Sequence, residues 1–201
     1  MSAPATSGKV IFSGENPGLA LYKPGTDQLV AAVSYWRCVY SEHGEGHAAI
    51  VWMDPAESGP GARVGTTIFT DNPRMARLVT DNWTQHFPNY KDRGFDAVEP
   101  VHARFYQEQD SRYYHRVTLN TGDLIVEFIW WDVLEHQMRV RTDYQLGPNS
   151  WDLATVICPC ANARILVQNE TVPGEPRVNR DGPMVGSSAF LAFSETWVAK
   201  A

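Results

Sequence analysis

A chain of 201 residues can bury roughly 70% of the surface its unfolded form exposes, so it folds without disulfide or metal staples. Its 43% hydrophobic and 20% charged residues are those of an ordinary globular protein and argue against a disordered chain. Seventeen Lys and Arg against 23 Asp and Glu leave a formal charge of −6, with basic residues scattered and only Arg139 and Arg141 paired on one strand, which argues against nucleic acid or an anionic membrane as partner.

No apolar run approaches the ~20 residues of a transmembrane helix. Residues 1–8 lack the basic region and apolar stretch of a signal peptide, so the sequons at Asn82 and Asn169 read as chance matches. Three cysteines are too few for a disulfide framework, and the expected location is cytoplasmic.

In chain order, apolar runs bounded by Gly, Pro and Asn predict strands over Lys9–Ser13, Leu19–Lys23, Leu29–Tyr40, His47–Met53 and Val64–Phe69. A different spacing follows: Met75, Leu78, Val79, Trp83 and Phe87 fall on one helical face, predicting an amphipathic helix over about 71–87. Asp71 or Asn72 suits its cap, Pro73 its first turn, and Pro88 stops it. Strands resume at Val98–Gln107, Arg112–Leu119, Leu124–Trp131, Met138–Gln145, Asp152–Cys158, Arg164–Asn169 and Ser188–Val198. Two Pro- and Gly-rich stretches, 54–63 and 172–185, read as mobile rim loops within one domain spanning 1–201.

Turns at Gln109-Asp110 and Thr121-Gly122 set a meander register in which Arg104 faces His115, Tyr106 faces Tyr113, His115 faces Phe128, Tyr113 faces Trp130 and Arg116 faces Glu127. One face then carries His102, Arg104, Tyr106, Tyr113, His115, Phe128 and Trp130, and the other carries Arg116 and Glu127. Aromatic surface with a few polar groups is how small-molecule pockets are lined. The plainer reading is that these are solvated-face residues and a register-holding ion pair, and a one-residue turn error would exchange the faces.

His43 and His47 flank Gly44-Glu45-Gly46, a hairpin tip whose spacing matches no zinc pattern, so no metal is expected there. Cys158-Pro159-Cys160 has no second pair to complete a metal site and reads as two buried thiols at a kink rather than a redox pair. No Gly-x-Ser-x-Gly elbow, phosphate loop or dinucleotide fingerprint is present, which points away from nucleotide cofactors, and none is expected.

The fold class that follows is mainly β, a single antiparallel barrel or strongly bent sheet with one packed helix. In outline it resembles the lipocalin-like barrels, but their N-terminal Gly-x-Trp signature is missing, so no functional residue carries over. The expected function is a cofactor-independent lyase, isomerase or cyclase using acid–base chemistry on a small aromatic or terpenoid-like molecule. His102, His115, Arg104, Tyr113 and Glu127 are the candidates for proton transfer, and Tyr106, Arg116, Phe128, Trp130 and Trp83 for substrate contact. Two other classes fit the same residues: a carrier of a small hydrophobic ligand without chemistry, and an interaction protein that packs its aromatic face in a homodimer.

Overall fold

The β-branched and aromatic runs become strands in the computed structural model, which describes residues 8–110 and 113–200. In chain order they are β1 (Gly8–Glu15), β2 (Gly18–Tyr22), β3 (Leu29–Ser41), β4 (Gly46–Met53) and β5 (Thr66–Thr70), followed by the helix α1 (Pro73–Asn82). Then come β6 (Val101–His102), β7 (Arg104–Asp110), β8 (Tyr114–Asn120), β9 (Ile125–Val133), β10 (Gln137–Leu146) and β11 (Asn149–Val167). The chain closes with β12 (Glu170–Thr171), β13 (Val178–Asn179), β14 (Gly186–Ser187) and β15 (Ala189–Lys200). Among the described residues the protein is mainly β with one α-helix, as its sequence leads one to expect.

One 13-stranded sheet runs β6-β5-β4-β3-β1-β15-β11-β9-β8-β7, with β2 beside β3 and β15, and with β10 and β12 beside β11; β13 and β14 form a separate ribbon. β2 continues the line of β1, since both pair with β3 on one side and β15 on the other. Pro17 interrupts that line because it has no N–H to give the ladder, and its carbonyl accepts from the Tyr35 N–H instead. The predicted strands Asp152–Cys158 and Arg164–Asn169 are in fact one, the 19-residue β11. Pro159 does not break it because it falls at a changeover: β10 pairs with β11 up to Ile157, and β9 takes over from Cys160.

The two ends of the sheet path are one continuous stretch. β6 pairs in parallel with β5, and after Ala103 the same chain pairs antiparallel with β8 as β7. The sheet bends far enough that the Phe105 ring on β7 lies 6.1 Å from that of Tyr35 on β3. Alternation therefore divides the apolar residues into two clusters. An inner one takes Val33, Tyr35, Val51, Phe69, Val117, Phe128, Trp130, Cys158, Cys160, Ile165 and Leu191. An outer one takes Phe12, Trp36, Ile50, Met75, Val79, Trp83, Tyr90, Trp151 and Trp197.

The helix is shorter than predicted. Asn72 caps it, its Oδ1 accepting from the Met75 N–H at 3.2 Å, and Pro73 takes the first turn. It ends at Asn82, because Trp83 leaves helical geometry to stack at 5.4 Å on Trp36 and at 4.8 Å on Trp197. A single 3-10 turn, Thr84–His86, follows, and the Thr84 hydroxyl accepts from Trp36 Nε1 at 2.9 Å. Met75, Ala76 and Val79 press onto the outer face of the sheet; burying each larger side chain is worth about 1.5–3 kcal/mol. No helix among the described residues is long and apolar enough to cross a membrane.

The meander register differs from the one the expected turns imply. β7 runs through Asp110, so Gln109 rather than Arg104 pairs with His115, and Tyr106 pairs with Thr118. That slip is an odd number of residues, so it moves Arg104 and Tyr106 to the outer face and brings Phe105 and Gln107 inward. Between β8 and β9 the slip is two residues, His115 pairing with Trp130 and Thr118 with Glu127. An even slip preserves faces, and His115, Phe128 and Trp130 do share one.

Candidate functional site

The strongest site is made by an irregularity. Along β15, Ala189, Leu191 and Phe193 face inward, and strict alternation would send Glu195 and Trp197 the same way. Between β11 and β15, however, Ala154 pairs with Thr196 and Val156 with Phe193, so Ser194 and Glu195 together oppose Thr155. This is a bulge, and Ser194 takes the left-handed conformation it needs, φ 52°. The extra residue reverses the phase, and Glu195 and Trp197 turn to the outer face.

There Glu195 borders a cavity of about 330 Å³. Its floor is β2, β11 and β15, through Gly18, Ala20, Leu153, Thr155, Ile157 and Phe190; the segment 87–90 closes one side, and Arg139, Arg141 and Tyr144 of β10 close the other. Gly18 is required by close packing: a Cβ there would stand 2.4 Å from the Phe190 ring. Asn16 is anchored by bonds to Ser34 Oγ (3.0 Å) and the Tyr35 carbonyl (3.1 Å).

Glu195 is 4% exposed. Burial pushes its carboxyl up to about 7, against a weaker opposing pull from hydrogen bonds with Trp197 and Thr155; the Trp197 indole N–H donates to Oε1 at 2.6 Å. A carboxyl balanced near neutrality gives or takes a proton with little driving-force penalty. Tyr90, which also lines the cavity, is pushed far up by burial and stays a neutral hydroxyl. A buried acid with no ion-pair partner among the described residues, in an aromatic cavity, has the environment that proton-transfer sites share.

The residues singled out from sequence are scattered. His102, Arg104, Tyr106 and Tyr113 are exposed, away from this cavity. Phe128 and Trp130 are fully buried on the inner face, and Trp83 is the hub of the outer aromatic cluster. Glu127 and Arg116 meet at 2.6 Å on the outer face, diagonally rather than as a register pair. His115 is wholly buried, T-shaped to Trp130 at 5.6 Å, with neither ring nitrogen hydrogen-bonded; burial pushes it down to about 4, so it is neutral.

A second polar group occupies one end of the inner face. Tyr35 Oη donates to Gln107 Oε1 (3.3 Å), Gln107 Nε2 to Glu15 Oε2 (2.9 Å), and Arg37 Nη1 to Glu15 Oε1 (3.0 Å). Nearby, Asp71 accepts from the His47 backbone N–H at 2.6 Å and holds its Nδ1 at 2.7 Å. The depression in front of His47 and Asp71 is larger, about 640 Å³, but open. Arg37 is already paired with Glu15 and His47 with Asp71, the latter as expected of a strut that ties β4 to the start of α1. His43 and His47 accordingly serve the hairpin, and no cluster of metal-binding side chains occurs among the described residues. Cys158 and Cys160 are unpaired and buried in the core.

Sequence reading missed Glu195, although the cue that flagged Glu127, a lone carboxylate in an apolar strand, applied to it equally. Comparison with known proteins finds no family model, no curated protein and no solved structure that matches this chain.

Proposed function

We propose that this protein is a cofactor-independent enzyme, a lyase, isomerase or cyclase, that moves protons on a small, flat, largely apolar molecule held between β2, β15, β11 and β10. The carrying observation is Glu195, an unpaired buried carboxyl at the edge of an aromatic cavity. In this reading Glu195 donates its proton to one atom of the substrate and recovers one from another, so the enzyme is unchanged at the end. Trp197 and Thr155 hold the carboxyl in place between the two transfers. The bent sheet acts as a barrel-like wall whose ends are joined by 101–110, and the three free thiols fit a reducing, cytoplasmic setting.

The test is a thermal-shift screen of small aromatic and isoprenoid compounds, with hits incubated and followed by mass spectrometry. Saturation at a hundred times the dissociation constant adds about 2.7 kcal/mol, a rise of roughly 5–10 °C for a chain of this size. Glu195→Gln should keep the shift and lose the turnover. Conversion by Glu195→Gln at the wild-type rate sinks the proposal. A second reading, a carrier without chemistry, is favoured by the mostly apolar lining of the cavity and predicts the same shift with no product from either protein.

A further inference from the structure

The cavity carries more than its acid. β10 brings Arg139 and Arg141 to the wall, and neither guanidinium has a carboxylate within reach among the described residues, whereas Arg37, Arg77, Arg116 and Arg177 each do. In a chain of net charge −6, two uncompensated cations beside one cavity make a local positive field. Each is also held. Gln137, itself buried, accepts from Arg139 Nε at 3.2 Å and donates to the Val185 carbonyl at 2.8 Å. Arg141 stands 5.2 Å over the Tyr144 ring. Positioned guanidiniums match the planar, two-oxygen geometry of a carboxylate.

Register places these groups in rows. Arg139 pairs with Thr155, which opposes the bulge carrying Glu195; Arg141 pairs with Leu153, which pairs with Trp197. The cations and the acid therefore lie two strand spacings apart on one face, about 10 Å from backbone to backbone. The floor between them is Leu153, Thr155 and Ile157, apolar apart from the Thr155 hydroxyl, and a volume of about 330 Å³ sits at the low end of ligand pockets, which span about 300–1,000 Å³. A volume of that size accommodates one or two rings.

We infer that the ligand is a small aromatic acid, its carboxylate clamped by Arg139 and Arg141 and its opposite, proton-exchanging end presented to Glu195. The inference rests on the groove being the ligand site and names the class of molecule it takes. A conjugated frame with a carboxylate at one end and a hydroxyl at the other meets both requirements.

The probes are 4-hydroxycinnamate and its neutral amide, titrated calorimetrically at pH 7 into the wild type, Arg139→Gln/Arg141→Gln and Ile157→Trp, with folding checked by near-ultraviolet circular dichroism. The acid should bind tenfold or more tightly than the amide. The double variant should weaken the acid about ten- to hundredfold and leave the amide unchanged. Ile157→Trp, which fills the groove, should abolish both. Equal affinities for acid and amide, both lost in Ile157→Trp, overturn the anion clamp and leave the groove as the site. Binding that survives Ile157→Trp, or no binding of either probe, overturns the groove and the clamp together.

Discussion

Replacing Glu195 by Gln isolates the cost of its ionisation. Gln keeps the shape of the side chain and an acceptor for the Trp197 indole, and removes only the titration. The folded carboxyl sits at about 7 against an ordinary 4.5. Between those values the folded chain still holds a proton that the unfolded chain has released, so stability falls as pH rises. At 1.36 kcal/mol per pH unit, the loss by pH 8 is about 3 kcal/mol. The assay is urea unfolding followed by tryptophan fluorescence at pH 4.5, 6, 7 and 8, wild type against variant. Other groups titrate alike in both proteins and cancel in the difference. The two should be nearly equal at pH 4.5, and Glu195→Gln should be about 3 kcal/mol more stable at pH 8, a melting difference of roughly 6–12 °C. A difference that stays flat across this range would show that the carboxyl is solvated or paired, and would refute the reasoning.

His115 gives the opposite slope: lowered to about 4, it resists a proton that the unfolded chain takes near 6.5, so stability is lost as pH falls through that window. His115→Phe should gain about 2–3 kcal/mol more at pH 4.5 than at pH 7.5 in the same assay; an equal gain at both would contradict a buried neutral ring. Arg116→Met strips Glu127 of its 2.6 Å partner and should cost about 1–3 kcal/mol, most of it regained when Glu127→Gln is added. No regain would mean that the Arg116 stem, not its charge, matters. Burial pushes the Cys158 and Cys160 thiols to about 11 and 12, so iodoacetamide at pH 8 should leave both unmodified until urea unfolds the chain. Labelling of the native protein would place them in contact with solvent.

The elements were readable because their signals are local. β3 was expected over Leu29–Tyr40 and runs Leu29–Ser41; β10 was expected over Met138–Gln145 and runs Gln137–Leu146. What failed were quantities that depend on one residue more or less. The β7–β8 turn was placed too early, and its odd slip sent Arg104 and Tyr106 outward. The helix was drawn to Phe87 because Trp83 and Phe87 keep helical spacing, although stacking on Trp36 and Trp197 wins at Trp83. Arg139 and Arg141 were visible as a pair on one strand, but nothing local said what lay two strands away. The cavity needed the Ser194 bulge, and that conformation is unusual for a serine.

β15 is the last strand in chain order and sits in the middle of the sheet, between β1 and β11. The strands of this sheet before it form two separate runs, β1 to β6 and β7 to β12, that share no edge across which they pair directly. During synthesis each run can form its neighbouring hairpins as it emerges, yet both must wait with an open edge until β15 arrives to join them. Such edges invite pairing with other chains. The bulge that aims Glu195 lies on that same joining strand, so the site is assembled in the step that makes the sheet whole. Slow, late acquisition of the near-ultraviolet signal of Trp197, after most strand signal has formed, is the behaviour this order of events demands.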